Sequence, residues 1–420
     1  MRLGVLSQWY DPEPGPAALP GIYAREFQAR GHEVSVLTGF PNYPDGVLYD
    51  GYRVRWRARE EIDGAGVTRV ALHPSHSSSA MGRIANYASF AVSSTLSGGS
   101  ALRDVDAVWV YNSPVTVSLP LLAHTRLGRT PYFLHVQDLW PDSLVDSGMV
   151  PHGAIGRAIA SVVDRVVSLT ERHAAVIGVS SRSVRDIIVD RHPRTDPRKV
   201  RYAPNPTNER LFRPISETRA RLGVTPLPDD PLEVMYAGAI GEVQGLDTVL
   251  DAAALLRGRN LRISLVGDGI SRARLERRIA DERISNVRFL GRVPQERMPE
   301  LIARAQIQLV SLAGAPFLAY TTPSKIATLL ASETPIVGQI SGDGADMIRE
   351  SGAGLTVAPG AAEDLADAIA DMAGRGPEAW HEHGVRGRAY YDQNLSARAT
   401  ADGILRALAV AAGLDSENGG

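Results

Sequence analysis

The sequence predicts an α/β protein of two domains, each built on a parallel sheet, with the two sheets facing a cleft. The 420 residues are more than one ordinary hydrophobic core organises and suit two domains of about 200 residues each. Short β-type runs alternate with helical patterns from end to end, as parallel strands joined by crossover helices do. A proline-broken stretch, Ala203-Pro204-Asn205-Pro206 through Pro214, interrupts the alternation, and the rhythm then restarts.

Before the break the strand runs are Leu3-Leu6, Glu33-Thr38, Ala107-Tyr111, Tyr132-Val136 and Ala175-Val179. After it they are Glu233-Tyr236, Arg262-Val266, Val287-Leu290, Ile307-Ser311 and Pro335-Gly338. Proline fixes φ and disfavours helix in the residue before it, so the broken stretch reads as a stiff connection. The expected division is residues 1–212 and 213–385, followed by a helix over 386–412 that returns to the first domain and a polar, disordered tail over 413–420.

Composition narrows the partners. With 44% apolar and 22% charged residues and a net charge of −2, nothing attracts nucleic acid as a whole. The absence of cysteine excludes disulfides, thiolate metal sites and a Cys nucleophile, and fits a reducing compartment. Met1 to Leu6 reads as a first strand rather than a signal peptide, and no apolar run approaches the roughly 18 residues of a membrane span. A cytoplasmic protein, at most peripheral on the inner face of the membrane, is expected. Of 45 basic residues only Lys199 and Lys325 are lysine, so each retained lysine draws attention.

Ligands of parallel sheets bind beyond the C-terminal strand ends, so the loops there carry the chemistry. Gly238-Ala239-Ile240-Gly241-Glu242-Val243-Gln244-Gly245 lies between a strand and a helix beginning near Leu246, where unpaired N–H groups and the helix dipole favour phosphate. A ligand-free turn accounts for the glycines equally well. Val266-Gly267-Asp268-Gly269 is a second such turn, with Arg272 where a dinucleotide fingerprint has its third glycine. Thr321-Thr322-Pro323-Ser324-Lys325 has the proline and hydroxyls of a helix N-terminus. Plain capping leaves Lys325 unexplained, because a cation in the first turn opposes the helix dipole unless an anion binds there.

Together these segments resemble the retaining GT4 (group 1) glycosyltransferases of GT-B fold, two Rossmann-like domains, and within them the branch of polysaccharide-assembly N-acetylfucosamine transferases. Further carriers are Tyr10-Asp11-Pro12-Glu13-Pro14-Gly15, Arg30-Gly31-His32-Glu33-Val34, Leu37 through Pro44, Asp138-Leu139-Trp140-Pro141-Asp142-Ser143 and Phe289-Leu290-Gly291-Arg292-Val293. The resemblance implies a hexosyl- or N-acetylhexosaminyltransferase using a UDP-sugar, without metal or other cofactor. It implies donor contacts at Gly15, Gly238, Ala239, Gly241, Gln244, Gly267, Arg292, Val293, Thr322, Ser324, Lys325 and Thr328, with Asp138 and Lys325 catalytic. Ala239 and Gln244 stand where the family usually has Arg and Lys, and Tyr320 and Thr328 where it has two glutamates.

On the acceptor side, Asp138 and Trp140 follow the strand Tyr132-Val136 and suit sugar hydroxyls and a sugar face; capping and packing explain them too. His135 lies inside that strand, more as a core residue than a sugar contact. Asp104-Val105-Asp106 precedes its strand, at the wrong edge for a metal site. Tyr52 through Arg59 alternates cations with apolar residues, as a strand with one basic face would. Through Arg53–Arg59 that face suits anionic lipid or a charge-protected edge. The run His76-Ser77-Ser78-Ser79 and the helix carrying Ile84, Tyr87 and Phe90 suit the entrance for a saccharide, lipid-linked or natural-product acceptor. Two other functions fit the same fold: a nucleotide-sugar epimerase or hydrolase, and a catalytically silent membrane-associated partner.

Overall fold

The structure, a computed structural model, describes residues 1–75, 80–141, 153–191, 196–224 and 231–414. It divides into two compact units, Met1–Pro204 with Thr400–Gly420, and Asn205–Ala399. Of the expected tail over 413–420, Asp415–Gly420 lie outside the described residues, as do the run His76–Ser79 and the pair Asp142 and Ser143.

The first unit is an eight-stranded sheet of β1 (Arg2–Leu6), β2 (Glu33–Gly39), β3 (Arg57–Ile62), β4 (Ala65–Val70), β5 (Ala107–Asn112), β6 (Tyr132–Val136), β7 (Val176–Val179) and β8 (Val200–Tyr202). Its order is β3-β4-β2-β1-β5-β6-β7-β8, parallel throughout except where β3 meets β4. Crossovers include α1 (Leu19–Ala29), α2 (Ala80–Ser97), α3 (Ser118–Gly128), α4 (Ala154–His173) and α5 (Arg182–Arg191). Every residue of β5 is buried, which is why it reads as a continuous apolar run rather than an alternating one.

The β3–β4 hairpin breaks the parallel rule for a local reason. Asp63 (φ 51°) and Gly64 (φ 82°) both sit in the left-handed region, the conformation a two-residue hairpin turn demands and Asp-Gly accepts. The strand expected over Tyr52–Arg59 therefore starts late, at Arg57. Arg53 through Trp56 are exposed and outside the ladder, and β3 is the sheet's edge.

The second unit is a six-stranded parallel sheet of β9 (Leu232–Ala237), β10 (Leu261–Val266), β11 (Val287–Gly291), β12 (Ile307–Ser311), β13 (Ile336–Gln339) and β14 (Gly354–Val357), ordered β11-β10-β9-β12-β13-β14. Around it lie α6 (Ile215–Leu222), α7 (Leu246–Leu255), α8 (Arg272–Asp281), α9 (Met298–Arg304), α10 (Ser324–Ala331), α11 (Asp343–Glu350) and α12 (Ala362–Asn394), the last interrupted at Gly376 (φ 78°). Residues 205–212 belong to this unit because Phe212 buries its ring in the cluster of Ile302, Ile326 and Leu330. The final helix, α13 (Ala397–Ala411), sends Ala401, Ile404, Leu405 and Leu408 into the core of the first unit, beside Leu3, Val5 and Phe27. Among the described residues no helix is long and apolar enough to cross a membrane.

Candidate functional site

In the second sheet the strand order reverses at β9, whose neighbours are β10 and β12. A crevice opens at such a switch point beyond the C-terminal strand ends. The loop after β9 crosses it. Gly238 adopts φ 153°, and an ideal Cβ there would stand 2.6 Å from the Lys325 ammonium; glycine is required because the lysine occupies that space.

Lys325 arrives from the first turn of α10. Its Nζ lies 4.0 Å from the centroid of the Tyr236 ring, a cation–π contact, and the Tyr236 hydroxyl donates to Ala239 O at 2.8 Å. Among the described residues no carboxylate forms an ion pair with Lys325, and burial alone pushes its ammonium down to about 7. A cation held where water is scarce and no anion answers it is a site prepared for one.

The surrounding amides point the same way. The first N–H groups of a helix have no partner inside it, and α10 has no side-chain cap, so the N–H groups of Ser324 and Lys325 are open. Ala239 is exposed in the loop beside the ammonium. Other predicted contacts are spent internally. Gln244 turns its side-chain oxygen back to accept from Gly241 N–H at 3.0 Å, which spends the Gly241 donor within the loop and leaves the Gln244 amide N–H groups as donors. The Thr328 hydroxyl bonds Thr207 at 2.9 Å. Thr322 is half-buried just before α10, and Arg292 and Val293 follow β11 on the same edge, Arg292 exposed and Val293 half-buried.

Gly267 has a packing role. A Cβ on it would fall 1.8 Å from Gly238 O at φ 134°, so the two loops touch backbone to backbone. Gly267→Ala is therefore expected to cost about 2–4 kcal/mol and to weaken nucleotide binding along with stability; thermal melts with and without UDP check this, and an unchanged melting temperature removes the packing role.

Beneath the loop lie two residues that reading the sequence missed. Ser311, at the end of β12, donates to Gln244 O, and Gln339, at the end of β13, donates to Gly245 O and to Ser311 Oγ, each at 2.7 Å. Both are fully buried. Their signal was a polar residue closing an otherwise apolar strand.

At the C-terminal edge of the first sheet, Asp138 is half-buried and accepts from Ser113 Oγ at 2.9 Å. Burial raises its carboxyl above the usual range, and the Ser113 bond opposes that shift. Burial likewise raises the phenol of Tyr87, which stands in the fields of Arg83, Asp138 and Tyr43. Trp9 packs against Tyr43 and Tyr111, with ring centroids 5.5 and 6.2 Å apart. Glu13, fully buried, was overlooked inside its motif. Its carboxylate accepts from the N–H groups of Tyr10 (3.1 Å), Asn42 (2.8 Å) and Tyr43 (2.8 Å), tying the loop after β1 to the loop after β2. Gly15, exposed at φ 65°, opens the turn before α1, where only glycine is unstrained.

Three acceptor expectations are corrected. His135 is fully buried among Tyr23, Trp109 and Phe133, bonds Ala203 O at 2.8 Å and is pushed down by burial to about 4, so it is a neutral core residue. Trp140 is 6% exposed and packs on Val115 and Val167, leaving no ring face for a sugar. Phe90 is wholly in the core. Asp106 bonds the start of β1 through Arg2 N–H at 2.7 Å, and among the described residues no cluster of three His, Cys, Asp or Glu could hold a metal.

Residues 231–375 match the family described as "Glycosyl transferases group 1", and residues 20–206 match the "Glycosyl transferase 4-like domain". WcaI of Escherichia coli (strain K12), named as a colanic acid biosynthesis glycosyl transferase, is 28% identical over 337 residues, 79% of this chain and 81% of its own. Among solved structures, sucrose-phosphate synthase from Thermosynechococcus elongatus superposes with a TM-score of 0.68 at 18% identity, over 98% of this chain and 99% of its own. Anabaena HepE, solved in complex with UDP and glucose, superposes with a TM-score of 0.64 at 16% identity, over 97% and 99%.

Proposed function

The chain belongs to the group 1 glycosyltransferases, with their GT-B fold of two parallel-sheet α/β domains, and from this we propose that it moves a hexose or N-acetylhexosamine from a UDP-sugar to a saccharide, lipid-linked or small-molecule acceptor with retention. The observation that carries the reading is the unpaired Lys325 ammonium beside Gly238 and the open N-terminus of α10. The UDP complex of HepE and the name of WcaI support the donor and a role in polysaccharide assembly.

Transfer breaks the bond between the anomeric carbon and the diphosphate, so negative charge grows on the leaving group. Lys325 and the amides of Ala239, Ser324 and Lys325 are fixed donors for that charge and need no reorganisation as it forms. Lys325 supplies the cation that a metal would otherwise provide. The acceptor hydroxyl, held by Asp138, gives its proton to the leaving phosphate as the new bond forms on the same face. A peripheral contact with anionic lipid belongs to this proposal: Arg53 and Arg55 are exposed beside Val54 and Trp56, the latter 58% exposed.

The test incubates the protein with UDP- and GDP-sugars, with and without acceptors, in EDTA. UDP release that needs both a UDP-sugar and an acceptor is expected. Release without acceptor, an isomerised donor, or complete loss in EDTA sinks the reading.

A further inference from the structure

Arg83 stands out from the arginines around it. Arg25, Arg30, Arg69 and Arg191, which like it are at least partly shielded from solvent, each meet a carboxylate: Asp11, Asp402, Glu60 and Glu171. Among the described residues Arg83 meets none, and its Nε is closed off from solvent without a hydrogen-bond partner there. Desolvating a guanidinium nitrogen and leaving it unmatched is costly.

Its position is set by the helix. Arg83, Asn86, Tyr87 and Phe90 follow the i, i+3, i+4, i+7 spacing that places residues on one face of α2. Phe90 is core. Asn86 accepts from Gln8 Nε2 at 2.6 Å and donates to Asn42 Oδ1 at 3.1 Å and to His73 O at 2.8 Å. These bonds lock the rotation of α2, so Arg83 is held one turn before Tyr87, whose phenol stands in the fields of Arg83, Asp138 and Tyr43. Around Tyr87 stand two half-buried rings for a sugar face, Tyr43 and Tyr87 itself, the Asp138 carboxylate for its hydroxyl, and Arg83, a cation unmatched among the described residues.

We propose that the acceptor is a sugar bearing an oxyanion, a phosphate ester or a carboxylate, and that Arg83 binds that oxyanion while Asp138 holds the acceptor hydroxyl. This rests on the transferase reading. It adds a charge requirement: a neutral sugar leaves Arg83 unmatched, and an anionic one without Arg83 faces the Asp138 carboxylate alone.

Binding of glucose 1-phosphate, glucuronate and methyl glucoside to the full chain in saturating UDP tests it by calorimetry. At least one charged sugar is expected to bind about ten- to a hundredfold more tightly than methyl glucoside. Arg83→Gln should remove that advantage, Arg83→Lys should keep part of it, and neither should change methyl glucoside binding. Tighter binding of glucose 1-phosphate marks a phosphate-linked acceptor, and tighter glucuronate marks an acidic sugar. Equal binding of charged and neutral sugars, or an unchanged preference in a folded Arg83→Gln protein, overturns the proposal. If UDP itself fails to bind while the Arg83-dependent preference persists, the transferase reading falls and the oxyanion site stands.

Discussion

Lys325→Met is expected to weaken UDP binding by about 2–4 kcal/mol, on the order of 10²-fold in Kd, and to leave uridine binding unchanged. The loss is expected to be large because no carboxylate among the described residues pairs with the ammonium, which leaves the diphosphate as its counter-ion on the proposed reading. Methionine keeps the contact with the Tyr236 ring, since a thioether also packs well on an aromatic face, so the substitution removes charge and spares shape. Equal losses for UDP and uridine would show that Lys325 shapes the pocket without touching phosphate.

The same group predicts two pH dependences of opposite sign. With its ammonium at about 7 in the free protein, Lys325 must take up a proton to bind a diphosphate above neutrality. UDP affinity therefore falls as pH rises from 7 to 9, and the Met variant shows no such slope. For folding, the native state binds this proton less well than the unfolded chain does, so its penalty is complete below pH 7. The penalty lifts as pH rises from about 7 toward the ordinary lysine value of about 10.4. Lys325→Met should thus melt higher than wild type at pH 6, with the gap narrowing by pH 9, as happens when a functional charge is held at the expense of stability. Melts of both proteins across this range, without ligand, read it directly.

Asp138→Asn is expected to lower kcat on the order of 10²-fold or more while leaving UDP affinity unchanged. The carboxylate is oriented by Ser113 and raised by burial, so it accepts a hydroxyl hydrogen bond in a site where each such bond is strengthened. Asparagine is nearly isosteric and can still accept from Ser113, which keeps the loop in place and isolates the charge. Turnover at the wild-type level would return Asp138 to a purely structural role in the loop after β6.

Parallel strands were legible because a strand buried on both faces is continuously apolar, as Ala107–Tyr111 is. The antiparallel β3–β4 pair was not, though Asp63-Gly64 announced it, because a short polar edge strand carries little hydrophobic signal. Lys325 was legible through its rarity among 45 basic residues and its place in a helix's first turn. The Gln244–Gly241 bond was not legible, because sequence gives a side chain's chemistry and not its direction, and here the Gln244 oxygen folds back on the Gly241 N–H.

The sequence by itself determined the α/β class, the stretch where one sheet gives way to the next, and the glycine-bearing loops at the C-terminal strand ends, because these follow from local periodicity and turn chemistry. Tertiary structure alone decided that His135 and Trp140 are core, that Gly267 lets two backbones touch, that Ser311 and Gln339 carry the loop from below, and that Lys325 has no counter-ion among the described residues. Burial and pairing are properties of what lies beside a residue in space, and neighbours hundreds of positions apart leave no trace in the order of the chain.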